Sequence, residues 1–252
     1  MLMDDYYKKI FDGKSLAVVG PSPHLVGKKL GNKLDNFDYI IRINEIVPKF
    51  LSNDYGSRND IVFLTLPDNL LAYYKDLIAL YPDEFSKVRY FISPRHSLHV
   101  TPYHLGEFHE DKNIFENFKK LNLPNKLLHI GNDENISLEN EIGCHPTTGT
   151  LALSFISKFS IKQLFVCGFS FYLSKKRYYP HRAKMENKAY NRNVNKEKSG
   201  HDALKEITYL NKIFSNRNNV DGDLWFKEIV INKKYKVVNE EAKAPFLLRY
   251  YK

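Results

Sequence analysis

Cysteine is scarce in this chain, two among 252 residues, and that scarcity excludes a scaffold built on disulfides. Cys167 lies in the apolar run LFVCGF and reads as a small core residue, whereas Cys144 precedes His145 and Pro146 in a loop. Two ligands do not make a zinc site, so a metal or thiol role for Cys144 ranks behind a structural one. Long apolar runs are missing too: none reaches the roughly 18–20 residues that a membrane span requires. The opening MLMDDYYKKIFDGK is charged and lacks the apolar centre of a signal peptide. These absences lead to the expectation of a soluble, cytoplasmic protein. Repeats and flexible linkers are also lacking, which favours one domain over residues 1–252.

What is present in excess is positive charge, a formal +9 with 14% aromatic residues. Nucleic acid is the usual partner of such a chain. Here, however, the basic residues are scattered as far as about residue 170. They thicken only in 175–198 and the C-terminal tail, and no zinc-finger, basic-zipper or RNA-binding signature accompanies them. A general positive field suits anionic sugars and nucleotide phosphates equally, and a peripheral contact with an anionic membrane surface at the inner face.

Short apolar runs alternate with helical patterns. Leu16–Gly20, Tyr39–Asn44, Ile61–Leu66, Val88–Ser93, Leu127–Gly131 and Leu164–Gly168 are continuous enough in Val, Ile, Leu and Phe for strands buried on both faces. Helical patterns fall at 24–35, 69–81, 112–121, 146–159 and 201–214. The alternation predicts an α/β fold, a single Rossmann-like domain whose mostly parallel sheet carries helices on both faces. The motif-bearing core would run over 14–214, with 215–252 as a C-terminal extension. Residues 175–200 hold nine Lys or Arg and little apolar pattern, and read as a mobile loop of the kind that lids active sites.

Ligands of open α/β sheets bind beyond the carboxyl ends of the strands. Gly20-Pro21-Ser22, Asn44 and Gly168-Phe169 should lie on that rim. Pro146-Thr147-Thr148-Gly149 combines a first-turn proline, capping hydroxyls and a glycine, which suits either an anion at a helix start or an ordinary N-cap. Asn44 either points a polar group at the rim or closes a turn with Glu45. Asp221-Gly222-Asp223 mimics a DxD metal motif but sits in a polar stretch that turn chemistry explains. His96, His99, His104 and His109 have irregular spacing and no accompanying carboxylates, so they read as an acceptor-side loop rather than a metal site.

Four segments, in order, resemble the four sialylmotifs of glycosyltransferase family 29. The large motif is similar in Ala17-Val18-Val19-Gly20, Gly27, Gly31, Asp35, Asp38, Arg42-x-Asn44 and Asp54-x-Gly56-x-Arg58. The small motif is similar in Pro146-Thr147-Thr148-Gly149 and Gly168-Phe169, the third in Arg177-Tyr178-Tyr179-Pro180, and the last in His201 with Glu206. The chain differs from the family at Pro21, where asparagine is usual, and at Arg177 and Pro180. Leu16 and Ile161 stand where the family joins two cysteines, which fits a reducing cytoplasm and a bacterial or viral member.

The resemblance implies an inverting, metal-independent transfer of a sugar from a CMP donor to a hydroxyl of a glycan or glycolipid acceptor. CMP carries one phosphate, so no metal or other cofactor is implied. His201 is the implied general base, since imidazole titrates near neutrality; alone, it reads equally as a helix cap. Gly20, Ser22, Asn44, Thr147, Thr148, Gly149, Gly168, Phe169, Arg177, Tyr178 and Tyr179 are the implied CMP and phosphate contacts, with His181 and Glu206 as further candidates. Glu206, five residues beyond His201, would not share its face on a regular helix, so a structural or CMP-side role fits it better. Arg42, Asp54, Gly56 and Arg58 should brace the fold, Arg58 by pairing with an acidic neighbour. Sialic acid is the first expectation for the sugar. Kdo or another CMP-activated ulosonic acid, in capsule or lipopolysaccharide synthesis, is the second. A non-catalytic nucleotide- or glycan-binding relative, and a nucleic-acid-binding protein, are alternatives of other classes.

Overall fold

A computed structural model describes residues 3–66, 70–94, 114–171 and 201–234. The chain opens with α1 (Met3–Phe11) and β1 (Ser15–Val19), then α2 (Gly31–Asp35), β2 (Tyr39–Ile43), α3 (Ser52–Tyr55) and β3 (Ile61–Phe63). It continues with α4 (Leu71–Leu80), α5 (Pro82–Ser86), β4 (Tyr90–Ser93), α6 (Ile114–Lys120), β5 (Lys126–His129), α7 (Asn132–Ile142) and α8 (Thr148–Ile156). Then come β6 (Gln163–Cys167), α9 (Ala203–Phe214), β7 (Val220–Gly222) and α10 (Leu224–Phe226), which runs into a π-helical turn at Lys227–Ile231.

The seven described strands form one parallel sheet in the order β5-β4-β3-β2-β1-β6-β7. Strand alternation divides the core. Leu16, Val18, Ile41, Phe63, Leu164 and Val166 face α1, α8, α9 and the segment after β7, while Ala17, Val19, Ile40, Phe165 and Cys167 face Leu34 of α2 and Tyr55 of α3. Further along that second face, Val62 and Phe91 pack against residues of α4, α5 and α6. Both faces are therefore covered, which is why β1 reads as an unbroken apolar run. The fold is α/β and Rossmann-like, as the alternation of patterns implied.

From β1 the chain steps outward to β5, then returns through α7 and α8 to lay β6 on the other side of β1. The switch point of the sheet thus falls between β1 and β6, whose register pairs Val19 with Cys167. A crevice opens there beyond the strand ends, where such sheets bind ligands.

The structure departs from the sequence patterns in several places, the unpredicted α1 among them. The helix expected over 24–35 is broken into a 3-10 turn at Pro23–Leu25 and the short α2. The cause is local: Gly27 and Lys29 take left-handed φ of 79° and 54°, and their N–H groups bond to Asp54 at 2.9 Å each. Asp221 and Gly222 are not in a polar turn but in β7, the edge strand paired to β6. Helix α7 is unheralded because it is polar, with Leu138 and Ile142 among its few buried apolar side chains. Leu16 and Ile161, the positions where the resemblance implies a cross-link in other members, are both buried in the same apolar cluster. No described helix is long and apolar enough to cross a membrane.

Candidate active site

At the switch point β1 and β6 end in glycines that touch. A Cβ placed on Gly20 would lie under 3.0 Å from the backbone of Gly168, and one on Gly168, whose φ is +76°, would meet Gly20 as closely. Only glycine on both sides allows the two strand ends to run this near each other. Phe169 follows and lies over Gly149, where a Cβ would stand 2.6 Å from the ring. The first turn of α8 is thereby drawn onto the end of β6.

Ser22 is buried at this crossing, its N–H bonded to Gly168 O at 2.9 Å and its carbonyl accepting from the Tyr55 hydroxyl at 2.8 Å. Its Oγ lies 2.8 Å from Nδ1 of His24, whose Nε2 lies 2.8 Å from Oδ2 of Asp223. Asp223 also accepts from the N–H of Gly168 at 2.9 Å and caps α10 through Phe226 N–H, and the His24 ring stacks on Trp225 at 4.4 Å. One carboxylate thus ties the loops after β1, β6 and β7 together. Neither His24 nor Trp225 is singled out by the sequence, and Asp223 reads there only as part of a polar turn; His24 and Asp223 are 199 residues apart, and no local spacing announces their pairing. Ser22, His24 and Asp223 follow the residue order of a hydrolase triad but through the opposite ring nitrogens, and a serine this buried cannot reach a substrate carbonyl.

Asn44 ends β2 with φ +64°, an αL position that asparagine tolerates better than most residues. Its carbonyl accepts from the Tyr74 hydroxyl at 2.7 Å and its side-chain oxygen from Thr65 at 3.3 Å. Behind the rim, the fully buried Arg42 gives its guanidinium to the carbonyls of Tyr55 (2.6 Å), Gly56 (3.2 Å) and Arg58 (2.5 Å), and to Asn59 Oδ1 (3.1 Å). Arg58 pairs with Asp60 at 2.6 Å. Arg42, Asp54 and Arg58 brace the loops beneath the site, as expected of them.

The fourth group gathers around residues 143–147. His201 precedes α9 rather than lying on it, and Asp202 caps that helix through the N–H groups of Leu204 and Lys205. The Nδ1 of His201 lies 2.6 Å from the carbonyl oxygen of His145. A carbonyl only accepts, so Nδ1 carries the proton and the basic lone pair of the neutral ring is on Nε2. Glu206, one turn into α9, is almost fully buried and receives the N–H of Thr147 at 3.1 Å, the Thr147 hydroxyl at 2.6 Å and the Thr150 hydroxyl. His201 and Glu206 do not lie on a shared helix, the case in which a spacing of five would part them. Instead both reach the same loop, one from before the helix and one from within it. In the expected phosphate cradle, the amide and hydroxyl of Thr147 are turned to this internal carboxylate, while Thr148 and Gly149 contribute the next two residues of the first turn.

Cys144 is buried near the carbonyl of Asp202, and burial pushes its thiol up to about 11; burial raises Cys167 as well. Among the described residues no three His, Cys, Asp or Glu side chains group as metal ligands. Asp221 instead pairs with Lys227 at 2.7 Å and Lys33 at 3.6 Å. Arg177, Tyr178, Tyr179, Pro180 and His181, the segment 175–200, and His96, His99, His104 and His109 lie outside the described residues.

Fold and rim together define a Rossmann-like α/β enzyme, with polar groups from distant segments gathered where the sheet reverses. Residues 12–218 match the model of glycosyltransferase family 29 (sialyltransferase), and the chain belongs to that family. It is a glycosyltransferase. A mammalian sialyltransferase structure is similar in fold at 17% identity and a TM-score of 0.50, covering 85% of this chain and 70% of that one. A mammalian sialyltransferase in complex with Gal-beta-1-3GalNAc-ortho-nitrophenol matches at 15% identity and a TM-score of 0.48, covering 85% and 71%. No curated protein matches the chain by sequence.

Proposed function

We propose that the protein transfers sialic acid from CMP-sialic acid to a hydroxyl of a glycan acceptor, by direct displacement with inversion and without a metal. The observation that carries the mechanism is the bond from His201 Nδ1 to the His145 carbonyl, which leaves Nε2 as the basic atom. In the proposed step, Nε2 takes the proton of the acceptor hydroxyl as its oxygen bonds to the anomeric carbon. The bond from that carbon to the CMP phosphate breaks, and CMP leaves with the electron pair. Amides at the start of α8, with Gly20, Ser22, Asn44, Gly168 and Phe169 around the switch point, are the proposed surroundings of the nucleotide. The family resemblance adds Arg177, Tyr178, Tyr179 and His181. CMP has a single phosphate, so hydrogen-bond donors and basic side chains suffice to stabilise it as a leaving group. The same reading takes the chain as one catalytic domain. It places that domain in the cytoplasm, supported by the apolar pair Leu16 and Ile161.

The test is CMP release from CMP-sialic acid and from CMP-Kdo, each with and without EDTA, in the native enzyme and in His201→Ala. The expected result is turnover of CMP-sialic acid that survives chelation and falls by about 100-fold or more in the variant. Turnover of CMP-Kdo alone would change the sugar, and loss on chelation would overturn the metal-free step. CMP binding by calorimetry without release from either donor would make the protein a binding relative.

A further inference from the structure

Beneath His201 lies a second histidine that the proposed chemistry does not use. His145 and Glu139 are both nearly fully buried, and Nδ1 of His145 lies 2.6 Å from Oε1 of Glu139. The His145 ring is stacked on that of His201 with centroids 5.2 Å apart and planes 28° from parallel. The carbonyl of the same residue is the one that fixes His201. Glu139 itself is held in the last turn of α7, where its carbonyl accepts from Gly143 N–H at 2.7 Å and closes the helix in a left-handed cap.

The loop from Gly143 to Thr147 is laced to the start of α9 at several other points. Gly143 O accepts from Lys205 Nζ at 2.7 Å, Cys144 Sγ approaches Asp202 O at 3.9 Å, and Thr147 is bonded to Glu206. These contacts join the loop to the base-bearing segment, but none of them fixes the orientation of the His145 peptide about its own axis. The bond from the His145 side chain to Glu139 restrains that residue from its other end, since ring and carbonyl belong to it alike. A carboxylate buried behind a histidine commonly sets the orientation of the groups that histidine supports.

We infer that Glu139 and His145 are positioning residues for His201: the Glu139 carboxylate anchors the His145 ring, and His145 presents its carbonyl to Nδ1 and its ring face to the imidazole above. Neither side chain touches the substrate. The inference rests on the reading of His201 as the base. If the anchor is lost, His201 samples the other tautomer and other orientations, and misplacement of this kind costs roughly 10- to 100-fold in the chemical step.

Steady-state kinetics with CMP-sialic acid on four variants, beside His201→Ala, tests this. Glu139→Ala and His145→Leu should lower kcat by about 10- to 100-fold while KM for the donor stays within about two-fold of the native value. Glu139→Gln keeps an acceptor oxygen, and His145→Asn keeps a donor near the position of Nδ1, so both should retain most of the turnover. Nitrogen-15 spectra of the imidazoles should show His201 as the Nδ1–H tautomer in the native protein and as a mixture in Glu139→Ala. A folded Glu139→Ala or His145→Leu with native kcat and an unchanged tautomer overturns the inference. So does an equal loss in the conservative and disruptive variants. His201→Ala with native turnover instead removes the base reading itself, which separates the two failures.

Discussion

Gly20 and Gly168 each occupy the space that a side chain on the other would need, their backbones crossing where β1 and β6 end. Gly168→Ala should therefore destabilise the fold by about 1–3 kcal/mol through overpacking, with roughly 1 kcal/mol more from its positive φ. Gly20→Ala carries the packing cost alone. Urea unfolding of the two variants should rank them in that order, and equal midpoints to the native protein would show that the strand ends are free to separate.

Glu206 accepts from two hydroxyls and one amide at the start of α8. Glu206→Ala strips all three donors of a shared acceptor, for an expected loss of about 3 kcal/mol. Glu206→Gln keeps one carbonyl oxygen and should lose about half of that. Denaturant midpoints measure both, and an unaffected alanine variant would mean that water replaces the carboxylate at no cost.

Arg42 is wholly inside, and its partners include three backbone carbonyls and an amide oxygen. Arg42→Met removes five donor contacts at once and should cost about 3–5 kcal/mol. Arg42→Lys should recover little, because a single ammonium cannot span Tyr55, Gly56 and Arg58 as a guanidinium fork does. Thermal unfolding of the pair would show near-equal losses.

Burial raises the Cys144 thiol from 9.0 to about 11. A raised acid favours its neutral form in the folded state. Its contribution to stability is thus complete below pH 9.0 and fades as pH rises through about 11. At pH 8 a disulfide reagent should modify neither Cys144 nor Cys167 in the native protein, and both promptly in urea. Fast native labelling would place one of the thiols in contact with water.

Strand runs such as Leu16–Val19 were legible because burial on both faces leaves a continuous apolar run, and the parallel sheet followed from their alternation. Gly20, Gly168 and Arg42 were legible as separate motif positions, but not the contacts they make. What stayed hidden depends on long-range partners. His24 has no local signature, since Asp223 and Trp225 come from the far end of the chain. Asp221-Gly222 reads as a turn because an edge strand of three residues needs little apolar content. Thr147 reads as an open cap until Glu206, 59 residues later, is seen to fill it. His145 carries no signal beside Cys144, because its bond to Glu139 joins a helix end to a loop.

The family match closes at residue 218, but the carboxylate that clamps His24 and the Gly168 amide belongs to residue 223. Cutting the polypeptide at the family border would strip β7 from the sheet's edge and unfasten the first glycine turn from the sixth strand. Residues 219–231 are therefore a keystone of the sheet's switch-point end, and shortened versions of this enzyme should keep them.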